Sequence, residues 1–486
     1  MSTTLVQVPT SRLRFGHRRA DVTPPVGIYH RMWGAARHDR AEGVHRPLFV
    51  DVMTLAHRDG GPVHVRVQLD LVGLDRSGYE RVAAAAAEGA RTPVELVTVT
   101  FSHSHSAGFL TADRVPLPGG ELIPAYLDGL VETVRTTATA SRRNLKPSIL
   151  SYGFGRCSMA ANRDYRDSDR EIYCTGFNPD EAAPDLVTVA RITDEAGKLR
   201  GTLLHYACHP TTLAWDNRLL SPDFIGAARE VVERATRKPC IFILGACGEL
   251  GPVDGFVGDP AVADRNGRSL GYAGLSALET LPTPGVDREY AGPIVSGATI
   301  GTWRDASHDA DRFAATTVFR SVYQGCSLAL RSLPTTAEFG QEILQWEAQE
   351  RESLAAGDAV SARDAGARAE RARRWLGRVD RMQPALNKTG THYSLLTAVW
   401  LMGDVFWVMC GGEPYHTLQE SLSALFPDNP VLVSPLLGPM DVAYLLPSDR
   451  YGMGLYQEEP SALAQGCLEV LGTRLYSTMS ALTGDA

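Results

Sequence analysis

The chain has 486 residues, 44% of them hydrophobic, enough to enclose a large core. Its formal net charge is −8 and its pI is near 5.9, so it lacks the basic footprint of a nucleic-acid-binding protein. No uncharged apolar run reaches the ~18 residues of a membrane-spanning helix, which argues against stable membrane insertion. The basic start of the chain (Arg12, Arg14, His17, Arg18, Arg19) lacks the apolar stretch of a secretory leader. Cysteines stand at 157, 174, 208, 240, 247, 326, 410 and 467, with no CxxC pair, and read as reduced thiols of a cytoplasmic protein.

Through the first 250 residues, β-branched runs alternate with turn signals and helical stretches. Strands are predicted over 48–56, 63–71, 94–101, 186–192, 202–207 and 240–244, and helices over 77–89, 124–143 and 224–235. The alternation predicts an α/β protein with a large mixed sheet core flanked by helices. Residues 343–382 differ, being rich in Ala, Glu and Arg with Gly357-Asp358 near the middle, and predict a solvated helical hairpin. Strands return at 398–410 and 431–436, and a helix closes the chain near 461–482. With no repeat or linker, residues 1–486 are expected to form a single domain that carries the hairpin at 343–382 as an insertion.

Chemistry-bearing residues gather where the predicted strands end. The strand over 94–101 runs into Ser102-His103-Ser104-His105-Ser106, and if it persists, both histidines face one pocket. The strand over 202–207 ends in Cys208-His209-Pro210, where the proline holds His209 at an abrupt turn. His205 and Cys208 are expected to be packed in the core. Strand 240–244 opens into Gly245-Ala246-Cys247-Gly248-Glu249-Leu250-Gly251-Pro252, which has neither the P-loop nor the dinucleotide spacing. Glu249 there can serve as a general base, as a partner of a ligating histidine, or as a helix-capping carboxylate. The strand near 405–409 ends in Cys410-Gly411-Gly412-Glu413. His103, His209 and Glu413 together make a two-histidine, one-carboxylate set with an open position, the composition of many catalytic zinc sites.

At these residues the sequence resembles the neutral ceramidase family, zinc-dependent amidases that cleave the N-acyl bond of ceramide. The resemblance runs in order along nearly the whole chain: Ala20-Asp21-Val22-Thr23-Pro24-Pro25-Val26-Gly27, Ser102-His103-Ser104-His105-Ser106, Asn162-Arg163, His209-Pro210-Thr211, Ser221-Pro222-Asp223-Phe224, Gly412-Glu413-Pro414, and Tyr444-Leu445-Leu446-Pro447 with Tyr451 and Tyr456. It implies a ceramidase-like catalytic domain with His103, His209, Glu413 and Tyr444 as zinc ligands. His105 would line the site, Arg163 would hold substrate or developing charge, and Tyr456 would be a further phenol at the site.

Two departures shape the expectation. The family's catalytic serine lies in a Gly-Asp-Val-Ser-Pro turn, and the matching turn here, Gly248-Glu249-Leu250-Gly251-Pro252, has Gly251 in its place. The family's C-terminal sandwich domain and secretion signal are also not matched. The expected function is therefore a cytoplasmic zinc hydrolase that cleaves the amide of a soluble small molecule by direct attack of metal-bound water, with Glu249 or His105 moving the proton. A zinc-assisted cyclase, acyl-transfer enzyme or lyase is the main alternative, followed by an ester or lactone hydrolase and a non-catalytic metal-binding protein. The substrate's identity and the oligomeric state are not legible.

Overall fold

The computed structural model describes residues 4–484, so the ends of the expected 1–486 unit, residues 1–3 and 485–486, lie outside it. Eight strands form one sheet in the order Cys240–Leu244, Leu199–Tyr206, Leu186–Thr193, Lys146–Arg156, Thr10–Asp21, Phe49–Ala56, His64–Leu69, Val97–Phe101. The outermost pair on each side is parallel and the pairs between them are antiparallel. A second sheet of four strands runs Phe319–Ala329, His392–Met402, Val405–Cys410, Val431–Ser434.

Side-chain alternation shows how the layers stack. In Cys240–Leu244, Cys240, Phe242 and Leu244 pack among the helices, while Ile241 and Ile243 face the small sheet. In Val405–Cys410, Val405, Trp407 and Met409 face the large sheet, and Phe406, Val408 and Cys410 face the opposite way. Both sheets are thus covered on two faces, which is why their strands read as continuous apolar runs. Helices Arg76–Ala90, Ile123–Arg143, Phe224–Thr236 and Pro260–Glu279 cover the outer face of the large sheet, and helices Ala359–Met382 and Cys467–Thr483 cover that of the small one. The mixed α/β class with a large helix-flanked sheet and a helical hairpin is the one expected.

Several expected boundaries move. The run over 94–101 starts as a 3-10 turn, Val94–Leu96, and only Val97–Phe101 is strand. The run over 398–410 is two strands joined at Gly403-Asp404, with Gly403 at φ +54°, where a two-residue turn needs glycine. The hairpin is Thr336–Ala355 and Ala359–Met382, and the last helix begins at Cys467. Thr10–Asp21, Lys146–Arg156, Pro260–Glu279 and Phe319–Ala329 were not expected, nor was the arm formed by Val286–Ser296 and Ala298–Ser307. Among the described residues, no helix is long and apolar enough to cross a membrane. The eight cysteines are all unpaired, and seven are buried.

Candidate metal centre

Val97–Phe101 does not persist to His105. His103 takes φ +65°, a left-handed conformation rare for a side-chain-bearing residue, and the chain turns there. Both histidines still reach the same place, with rings 4.8 Å apart at 88°. Left-handed backbone recurs at Phe256 in the surrounding loops, the kind of outlier that persists where neighbours enforce it. From the other side of the sheet, the segment after Leu199–Tyr206 brings in His209, whose ring lies 5.1 Å from His103 and 6.0 Å from His105. One ring nitrogen from each of these three histidines lies within 4.8 Å of the others, a group able to hold a metal ion.

The hydrogen bonds fix the tautomers. His103 Nδ1 lies 2.7 Å from the Val72 carbonyl and His209 Nδ1 lies 2.6 Å from that of Cys247, so each Nδ1 donates. In the neutral rings, each Nε2 then carries a lone pair. Both Nε2 atoms face the same Glu413 Oε2, at 3.2 Å and 3.0 Å. Burial, with Arg163 nearby, lowers the His209 pKa to about 4, so its ring is neutral at pH 7. Burial works against ionisation of Glu413, and the lowering of its carboxyl well below the ordinary range draws on positive charge at the two rings; with Nε2 unprotonated, that charge has to come from a cation. A lone pair therefore meets a carboxylate oxygen, an arrangement satisfied by a cation between them.

Glu413 and Tyr444 are direct partners in the parallel pair Glu413–Pro414 and Tyr444–Leu445. Gly412, at φ +69°, permits the approach, since a Cβ there would stand 2.6 Å from Leu445 Cδ1. Arg163 Nη2 donates to the Tyr444 hydroxyl at 3.1 Å and to the Gly248 carbonyl at 2.7 Å. Burial, then Glu413, raises the Tyr444 phenol well above its usual value. Among the described residues the buried His105 Nε2 has no hydrogen-bond partner, and burial followed by the neighbouring histidines pushes its pKa well down. Tyr456 lies 5.9 Å from Tyr444 and is about half exposed.

Glu249 meets a backbone amide of a later segment. Both its carboxyl oxygens face the backbone N–H of His416, at the start of helix Thr417–Leu425, which of its three readings supports helix capping. Gly251 lies beside Arg163 and Thr211, and a Cβ added there would meet nothing closer than 3.6 Å. The absence of a side chain at that place is thus not forced by packing. His205 is packed in the core, with Nε2 on the Val433 carbonyl, and Cys208 is buried.

Sequence reasoning missed the aromatic cover and one support. Trp33 lies 5.3 Å from His105 and packs against Trp215 and Phe256. Its signal was a large aromatic, beside Gly34, in a stretch with no helix or strand period. Asp164 accepts from Gln457 at 2.6 Å and from Tyr415 at 2.9 Å, behind Arg163. These residues adjoin Arg163, Tyr456 and Glu413 in the chain, which was the available clue.

The mixed α/β architecture, an eight-stranded mixed sheet flanked by helices, matches the ceramidase fold. The chain aligns with the neutral ceramidase from Pseudomonas aeruginosa at a TM-score of 0.64 and 17% identity, over 98% of this chain and 75% of that one. A ceramidase complexed with C2 aligns at a TM-score of 0.64 and 15% identity, over 99% of this chain and 76% of that one. No protein-family model matches the sequence.

Proposed function

We propose that the chain is a zinc-dependent amidohydrolase acting on a soluble small molecule. The observation that carries this reading is the convergence of the His103 and His209 Nε2 atoms on one Glu413 oxygen, with both Nδ1 protons already held by carbonyls. Imidazole and carboxylate donors suit zinc, and Tyr444 would complete the set. When bound, zinc lowers the pKa of water from ~15.7 to about 7 and polarises a carbonyl.

The chain's own residues supply the rest. Arg163, fixed by Gly248 and Tyr444, faces the charge that builds on the carbonyl oxygen. His105 offers an unpartnered Nε2 that takes a proton from water and passes it to the departing nitrogen. Water's oxygen ends on the acyl carbon, the C–N bond breaks, and acid and amine are released. Gly251 supplies no side-chain nucleophile, which favours this direct route over an acyl-enzyme. Trp33 and Tyr456 wall the cleft. The unpaired cysteines support a reducing, cytoplasmic setting.

Metal analysis with turnover of an amide panel tests the reading. Wild-type protein is expected to hold one zinc per chain, and His209→Ala to lose both the zinc and the turnover. Zinc-free wild type, or full activity in His209→Ala, would overturn it. Reaction in 18O-labelled water should place the label in the acid product; unlabelled product would point to transfer, cyclisation or elimination.

A further inference from the structure

The three histidines of the metal centre are not equally enclosed. His103 and His209 are buried, whereas His105 is partly exposed, so the centre is open on the His105 side. An aromatic patch stands there. The Trp33 ring lies 5.3 Å from that of His105. Trp33 in turn lies 6.3 Å from Trp215 at 78° and 5.8 Å from Phe256 at 84°. None of the three is sealed in: Trp33 and Phe256 are partly exposed, and Trp215 is 37% exposed.

Each ring comes from a different loop, and each loop is tied down. Trp33 follows Met32, whose carbonyl accepts from Arg374 Nη2 at 2.5 Å on helix Ala359–Met382. Trp215 is followed closely by Asn217, whose Nδ2 donates to Ser106 Oγ at 3.2 Å, next to His105 in the chain. Phe256 takes φ +58°, held by its own N–H on the Thr211 carbonyl at 3.0 Å and by the Val257 N–H on that of Thr212 at 2.8 Å. Left-handed backbone at a phenylalanine costs free energy and persists where such contacts over-determine it. The rings are thus fixed before a ligand arrives, with Trp33 meeting each neighbour at nearly a right angle. Perpendicular rings make a corner in which a further planar ring lies along one and meets the other edge to face. One ring on either side of Trp33 is the extent of a single aromatic group, not of a long alkyl chain.

We infer that Trp33, Trp215 and Phe256 form a subsite for an aromatic ring on the amine half of the substrate, so that the substrate class is an N-acyl arylalkylamine. This rests on the amidohydrolase reading, in which His105 passes its proton to the departing nitrogen and so stands beside the amine half. The short distance from His105 to Trp33 calls for a short linker between that nitrogen and the ring. An alkyl group of equal size gains from burial alone, whereas an aromatic ring adds the face-to-edge attraction.

The test uses N-acetylphenethylamine, its cyclohexyl counterpart, and N-ethylphenylacetamide, an isomer of the first with the ring on the acyl half. Binding of the phenyl and cyclohexyl compounds to the metal-free full chain is followed by ligand-observed NMR titration. Wild type should prefer phenyl by about 3- to 10-fold. Trp215→Leu should erase that preference; Phe256→Leu should do the same, and serves if Trp215→Leu does not fold. Equal binding of the two compounds by wild type, no binding of either, or a preference unchanged in the variants overturns the inference. Turnover by the zinc-loaded protein separates the subsite from the reading beneath it. N-acetylphenethylamine should exceed its isomer in kcat/KM, and equality or the reverse order removes the ring from the amine half. Cleavage that does not distinguish phenyl from cyclohexyl leaves the hydrolase and removes the subsite. Ring-dependent binding with no cleavage of any of the three leaves the subsite and removes the hydrolase.

Discussion

His103 and Glu249 show how differently two strand-end residues can be used. At His103, left-handed backbone and a carbonyl on Nδ1 leave one course for Nε2, towards Glu413. At Glu249, the carboxyl turns to the His416 amide in a site so enclosed that burial raises its pKa from 4.5 to about 8. A carboxyl raised on folding stays protonated where the unfolded chain ionises, so its contribution is complete below pH 4.5 and is lost as pH rises to about 8. Glu249→Gln is therefore expected to gain on wild type, by up to a few kcal/mol, between pH 5 and 8. Denaturant midpoints at several pH values check this; a constant difference would show that the carboxyl ionises normally. That Glu249 stands at a strand end was legible, but its direction was not, because the amide it meets lies 167 positions later in the chain.

Among elements, Val405–Cys410 carries the largest share of the architecture. Trp407 pairs directly with Trp400 on the neighbouring strand, rings 6.2 Å apart at 16°, and both fill the space between the sheets. Arg66 lies over Trp407 at 5.5 Å, and its guanidinium, with Nη2 on Ser434, is lowered to about 9 by burial. Trp407→Ala should cost about 3–5 kcal/mol through the cavity it opens. It should also loosen Glu413 at the end of the same segment, so zinc affinity should fall along with the unfolding midpoint; loss of stability alone would uncouple the strand from the centre. Strands buried on both faces were readable as apolar runs. Thr10–Asp21 was not, because Arg12, Arg14, His17, Arg18 and Arg19 interrupt its pattern, and Arg19 is satisfied by Asp51, Glu233 and the Cys240 carbonyl from distant segments. The helical hairpin was legible from its Ala, Glu and Arg content, but where it docks depends on Met32, Gly34 and Pro460.

At the scale of the molecule, the strands that lead to His103 and His209 are six spacings apart, about 29 Å in a flat sheet. They also run in opposite directions. A twist of about 20–25° per spacing accumulates to roughly 130° and turns their ends towards a common side. There Ser221 N donates to the Ser106 carbonyl at 2.9 Å and Ser104 Oγ to that of Ser221 at 2.6 Å, joining the two flanks. The enclosure has a consequence for pH. Burial lowers His30, His64 and His205 to about 4 each, with His38 adding to the effect at His30. A histidine lowered on folding contributes fully above pH 6.5, and the contribution is lost as pH falls towards 4. The free energy of unfolding is expected to drop across that window, by the order of a few kcal/mol per histidine at most, and the denaturant midpoint with it. His64→Gln should flatten part of the drop; an unchanged profile would mean that His64 titrates alike in both states.

The sequence by itself determined the α/β class, the apolar strands and the residue types at their ends, because periodicity, turn chemistry and composition act over a few neighbours. Only the tertiary structure decided that His105 joins His103 and His209, and that the Glu249 carboxyl meets the His416 amide. Each of these depends on contacts between segments far apart in the chain, which the twist of one sheet and the packing of a second bring together.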